Sequence, residues 1–151
     1  MKRILLLLSI TFFGVTLNAQ TLDWTNSVGG IDVEDVSGIT KNPTGVYYTG
    51  TFRGTVDFNP GSGVFNLTSA GETDGFILKL DLNGNFLWAK QMSSPAGAPN
   101  DDVATIKLDS SGNIYLAGSY TYVDFDPGAG DQTLMASGSS GAFIVKLDNN
   151  G

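Results

Sequence analysis

The chain of 151 residues contains no cysteine and no histidine. Without cysteine there is no disulfide framework and no thiol nucleophile. Without histidine there is no imidazole base, and the usual nitrogen and sulfur ligands of a zinc site are missing. Positive charge is scarce: 8 Lys and Arg stand against 15 Asp and Glu, a formal net charge of −7. Phosphate contacts are made mainly by Lys and Arg, so nucleic acid is not a fitting partner, and neither is an anionic lipid surface. Long helical periodicity is absent beyond the first residues. Short runs rich in Gly, Thr, Val, Ile and aromatics instead alternate with turn signals, which is an all-β pattern.

The first residues have their own grammar. Lys2 and Arg3 precede an apolar run from Ile4 to Val15, and Leu17-Asn18-Ala19 is followed by Gln20. This reads as a secretory signal peptide over residues 1–19, cut after Ala19. The run is shorter than the roughly 20 apolar residues of a membrane span. A secreted or cell-surface location is therefore expected, with no membrane insertion after cleavage. Without Lys2 and Arg3 the balance is 6 basic to 15 acidic residues. That acidity favours cations and keeps an exported protein soluble.

What the chain does have is repetition. Val56-Asp57-Phe58-Asn59-Pro60-Gly61-Ser62-Gly63 returns as Val123-Asp124-Phe125-Asp126-Pro127-Gly128-Ala129-Gly130. Gly75-Phe76-Ile77-Leu78-Lys79-Leu80-Asp81 returns as Ala142-Phe143-Ile144-Val145-Lys146-Leu147-Asp148, and both pairs lie 67 residues apart. A unit of this size cannot bury its apolar surface alone and is stabilised by stacking on a neighbour. In the second copy strands are expected at Val103–Leu108, Ile114–Tyr120 and Phe143–Leu147. Ala104, Ile106 and Leu108 are expected on one face, with a further short strand near Thr133–Ala136. The first copy matches at Ser37–Thr40, Val46–Phe52 and Phe76–Leu80, and adds a fourth strand at Phe86–Met92 carrying Trp88. The Asn-Gly pair at Asn83-Gly84 predicts a two-residue hairpin loop.

Leu22-Asp23-Trp24-Thr25-Asn26 echoes Phe86-Leu87-Trp88-Ala89-Lys90 and reads as a fourth strand lacking its three predecessors. The expected organisation is all-β. Residues 20–151 form a partial β-propeller of four-stranded antiparallel blades: a lone fourth strand at 20–30, a full blade at 31–92, a linker at 93–100 and an incomplete blade at 101–151. Strands apolar on both sides, such as Phe143-Ile144-Val145, suit sheets covered on both faces.

These residues resemble the SBBP β-propeller repeat. The resemblance is carried by Asp-x-x-Gly-Asn before Ile114-Tyr115-Leu116-Ala117-Gly118, by Val-Asp-Phe-x-Pro-Gly, and by Phe-Ile-x-Lys-Leu-Asp. It implies an exported or surface-attached bacterial protein, of a kind that often uses type IX secretion, and it assigns no catalytic residues. Two blades cannot close a ring, since propellers take about four to eight. The expectation is either a fragment of a longer protein, favoured because Gly151 falls inside a hairpin turn, or several copies of the chain assembled into one ring.

Candidate chemistry is sparse. Asp57 and Asn59, with Asp124 and Asp126, place oxygen-bearing side chains at alternate positions and are calcium candidates. The competing reading is a tight bend ahead of Pro-Gly. Asp81 to Asn85 and Asp109 to Asn113 read as hairpin turns. Glu34-Asp35 and Asp101-Asp102 are paired carboxylates, but sequence neighbours rarely flank a glycosidic bond as hydrolysis requires. Tyr120 and Tyr122 are the candidate ligand-stacking aromatics, whereas Trp24 and Trp88 are expected to pack between blades. The expected function is a non-catalytic scaffold or binding surface for protein or polysaccharide. The alternative is a piece of a propeller-scaffold hydrolase or lyase whose active site lies in blades not present.

Overall fold

The computed structural model describes residues 21–94 and 102–151. The expected signal peptide, most of the linker and Asp101 lie outside the described residues. The first copy builds six strands: β1 (Glu34–Asn42), β2 (Gly45–Phe52), β3 (Thr55–Asp57), β4 (Asn66–Thr68), β5 (Asp74–Leu80) and β6 (Phe86–Met92). The second builds β7 (Asp102–Leu108), β8 (Ile114–Tyr120), β9 (Tyr122–Asp124), β10 (Thr133–Met135) and β11 (Gly141–Leu147). Their sheets are antiparallel and none closes on itself. The first sheet is ordered β1-β2-β5-β6 and the second β7-β8-β11. In each copy the excursion between the second and third long strands folds into a miniature hairpin, β3-β4 and β9-β10. Of these four short strands only β10 had a sequence signal.

Both copies break their ladders at the same place. The register slips between Val36 and Gly38 in the first and between Val103 and Thr105 in the second. Such a bulge inserts one unpaired residue and reverses the facing of the residues beyond it. It corrects the expected alternation in β7: Val103 and Ile106 are buried, while Ala104 sits in the bulge and is exposed. The bulge also explains two glycines. A Cβ at Gly50 or Gly118 would fall on the carbonyl oxygen of Asp35 or Asp102, respectively.

The hairpin turns differ from the two-residue form. Among the described residues no non-glycine has positive φ, whereas Gly84 and Gly112 lie at φ 85° and 83°. Only the last loop residue is left-handed, as in a three-residue loop closed by a glycine bulge. Asp81 Oδ1 accepts from the amides of Asn83 and Asn85 at 2.8 and 2.9 Å. Asp109 Oδ1 accepts from Ser111 and Asn113, both at 2.9 Å.

The core lies in two layers. The front face of the first sheet, with Tyr47, Ile77 and Met92, packs on the back face of the second, with Val103, Ile106, Leu116 and Phe143. The Ser37 hydroxyl, in the bulge of β1, donates across this junction to the Val103 carbonyl. The back face of the first sheet gathers Phe52, Phe58, Phe76, Leu78 and Leu80 under the β3-β4 hairpin. β5 is buried along its whole length because it lies between the two layers.

The expected strand at Leu22–Asn26 is not formed; 21–28 belong to no ladder, and only Gly29 makes an isolated bridge, to Asp57. A fourth strand pairs with a third, and among the described residues no third strand is paired with this segment. It is nonetheless held in place. Trp24 Nε1 donates to the Leu82 carbonyl at 3.1 Å, and Asn26 Nδ2 to the Gly84 carbonyl at 2.7 Å.

Candidate functional site

The loops after β3 and β9 hold the calcium candidates, and they are built alike. Asp57 Oδ1 accepts from the amides of Asn59 at 3.0 Å and Phe65 at 2.8 Å. Asp124 Oδ1 accepts from Asp126 at 3.0 Å and Gln132 at 2.9 Å. Asn59 and Asp126 in turn accept from the amides of Gly61 and Gly128. These side-chain oxygens therefore spend acceptor capacity on their own backbone, as Asx turns do. The Phe65 and Asn59 amides also hold the Asp57 carboxyl below the ordinary carboxylate range. Among the described residues no three His, Cys, Asp or Glu side chains cluster as a metal would require.

Tyr120 belongs to an aromatic trio rather than a free surface. Its ring meets Phe125 and Phe143 edge-on, with centroids at 5.4 and 6.5 Å, and Phe125 tilts on Phe143 at 4.7 Å. In the first copy Phe52, Phe58 and Phe76 repeat this at 5.2, 6.3 and 4.9 Å. Tyr120 thus stands where Phe52 does, half-buried, and faces a cleft beside β11. Tyr122 is half-buried in β9. Of the paired carboxylates, Glu34 accepts from the Gly30 amide at 2.9 Å, while Asp35 and Asp102 are exposed on strands of different sheets.

Sequence reasoning missed Asp74. It is fully buried at the start of β5 and accepts from the Ala70 amide at 3.0 Å, Gln91 Nε2 at 2.6 Å and the Ser94 amide at 3.1 Å. It ties the end of β6 to the loop before β5. Its repeat equivalent is Gly141, so the broken symmetry was the signal. Also missed was Lys79, whose ammonium lies 4.8 Å from the Tyr47 ring centroid and 6.0 Å from that of Trp88. Burial pushes the Tyr47 hydroxyl up, but Lys79, Thr44 and Asn42 more than offset this and hold it below the usual tyrosine value.

Two shallow grooves lie at equivalent places. One runs between the Asn59–Gly63 loop, Asn26 and the Asn83–Phe86 turn. The other, of about 230 Å³, runs between the Asp124–Gly128 loop and the Ala89–Ser93 stretch, and carries Lys90 with Asp124 and Asp126. The Asp124 amide donates to the Ser93 carbonyl at 2.9 Å, fixing this second loop to the first unit. The grooves share a scaffold and differ in charge, Asn26 with Asn59 in one and Lys90 with Asp126 in the other.

Repeat-equivalent positions at the two ends of the stack have opposite surroundings. Ile77 is 0% exposed and Ile144 is 84% exposed. Val103 and Ile106 are 2% and 1% exposed, while Val36 and Ile39 are 54% and 60% exposed. The same apolar positions are covered where the units meet and bare where the stack ends.

The chain is similar to a WD repeat protein. An uncharacterized WD repeat-containing protein, L264, of Acanthamoeba polyphaga mimivirus is 27% identical over 123 residues, which cover 72% of this chain. The chain spans 9% of that protein's length. No family model matches the chain, and no solved structure matches it.

Proposed function

We propose that this chain is a non-catalytic β-propeller module of the SBBP type from a secreted or cell-surface bacterial protein, presenting rim loops to a protein or polysaccharide. The observation that carries this reading is the front-to-back packing of two like sheets, with Ile77 covered and Ile144 bare. Stacking of that kind propagates in one direction and suits blades set around an axis. The likeness to a WD repeat protein supports it, because WD repeats are four-stranded blades. The groove between the Asp124–Gly128 loop and β6 is the binding surface. Its Lys90, Asp124 and Asp126 set both signs of charge on a rigid base, and the neighbouring groove lacks them.

The test is a binding screen of the full chain on glycan and surface-protein arrays, alongside Lys90→Glu. Binding is expected, with weakening of about tenfold in Lys90→Glu and an unchanged melting profile. Turnover of an array glycan, or binding indifferent to Lys90→Glu and Asp126→Asn, contradicts the reading. The export part is checked by N-terminal sequencing of secreted material, which is expected to start at Gln20.

A further inference from the structure

We propose that a second copy of this chain completes the free edge of β11 with its residues 21–28 and covers the Ile144 face with its first sheet. The inference rests on the stacked-blade reading above. Among the described residues β11 pairs only with β8. Beside it lies a cleft of about 710 Å³ walled by Tyr120, Phe125 and Phe143. In the first unit the equivalent space is filled by β6, whose Ala89 is buried with Phe58, Phe76 and Leu78.

The 22–26 segment is the matching plug. It shares its pattern with 86–90, it is in no ladder, and Leu22 and Thr25 are exposed. It already sits where a preceding unit's fourth strand belongs. A Cβ on Gly84 would lie 3.0 Å from the Trp24 ring, and a Cβ on Gly151 would lie 3.0 Å from the Trp88 ring. Gly84 and Gly151 are the same turn position of successive units, so Trp24 stands to the first unit as Trp88 stands to the second.

The register comes from β5 and β6, in which Leu78 faces Ala89 and Lys79 faces Trp88. Carried to β11, it sets Val145 opposite Thr25, and Lys146 opposite Trp24, of the other copy. Lys146 already lies 5.4 Å from the Tyr115 ring centroid, as Lys79 lies over Tyr47. The same docking lays the bare Ile144 face on the bare Val36 and Ile39 face, repeating the junction seen within the chain. Such a head-to-tail contact closes when its rotation permits.

The test is sedimentation velocity of the full chain over a dilution series, joined to a cross-link. The chain lacks cysteine, so Thr25→Cys in one preparation and Val145→Cys in another report only contacts between copies. Expected are a discrete assembly that dissociates on dilution, a mixed disulfide between the two variants, and association weakened by about tenfold or more in Ile144→Glu. Ile144 is exposed in the single copy, so its replacement leaves that copy folded. A single copy at every concentration, or an assembly that ignores Ile144→Glu and yields no mixed disulfide, overturns the proposal. Nuclear Overhauser contacts between Gly75 and Val103 separate the two failures. A single copy that keeps them loses the assembly alone, and one that lacks them loses the stacked-blade reading as well.

Discussion

Truncating Ile77 and Ile144 to alanine is the same chemical change at equivalent points of one repeat, yet the structure assigns the two very different costs. Ile77 is buried between the sheets, among Tyr47, Met92, Val103 and Ile106. Removing three of its carbons forfeits about 0.8 kcal/mol for each, and the cavity left in a junction clamped from both sides adds about 1 kcal/mol. Ile77→Ala is therefore expected to cost about 3 kcal/mol. Ile144 has solvent over most of its surface, and surface changes of this kind stay within about 0.5 kcal/mol. Urea unfolding read by tryptophan fluorescence, at a dilution where the chain sediments as one copy, gives both values from the midpoint shift at constant slope. Equal costs for the two substitutions, or a larger cost for Ile144, would rule out this burial difference. So would a change of slope for Ile77→Ala with no shift in midpoint.

Three further outcomes are expected. Asp74→Ala removes the acceptor of the buried Ser94 amide and of the part-buried Ala70 amide and should lower stability by about 2–4 kcal/mol, measured by urea unfolding; Gln91, which also donates to the Thr68 carbonyl at 2.9 Å, keeps one partner. Gly118→Ala drives a methyl into the Asp102 carbonyl and the Phe143 ring and should cost about 1–3 kcal/mol, whereas Gly138→Ala, which meets nothing within 4 Å, should stay within about 0.5 kcal/mol; thermal melts of the pair give the contrast. Asp57, Asp81, Asp109 and Asp131 are held below the ordinary carboxylate range, chiefly by Phe65, Asn85, Asn113 and Thr133. Their folded forms bind fewer protons than the unfolded chain near pH 4. Their contribution is thus full above about pH 4 and drains away as acid carries the chain through the lower folded values. A urea midpoint that rises on acidification from pH 5 to pH 3 would contradict this.

The long strands were legible because alternation and turn residues agree at most boundaries, although β1 runs over Glu34–Asn42 and not just the expected Ser37–Thr40. Asp109 to Asn113 could scarcely be anything but a turn, and Ile114 to Tyr120 scarcely anything but a strand. Phase was not legible. Ala104 and Val103 are both small and apolar, and only the bulge decides which of them faces inward. The β3-β4 hairpin was hidden because three-residue strands carry too little pattern to register. The Asp-Phe-Asn-Pro motif has one composition for two chemistries, a cation site and an Asx turn. In the structure Asp57 accepts from the Asn59 and Phe65 amides, an Asx-turn geometry that residue types alone do not display. Tyr120 read as a surface aromatic because a loop follows it, yet its equivalence to Phe52 was available from the repeat and placed it with Phe125 and Phe143. Asp74 could have been found the same way, since a buried carboxylate replaces Gly141. The lone 22–26 segment was recognised by its likeness to 86–90, but pairing needs a partner strand, and sequence likeness alone cannot provide one.

The front of the first sheet lies on the back of the second. Methyl-resolved nuclear Overhauser spectra test it most directly, because Gly38 and Gly75 leave their α-hydrogens facing Ile106 and Val103. Cross-peaks are expected from Gly75 to the Val103 methyls and from Gly38 to the Ile106 methyls. Cross-peaks from Gly75 or Gly38 to the Ile144 methyls of the same copy would turn the second sheet over and contradict it.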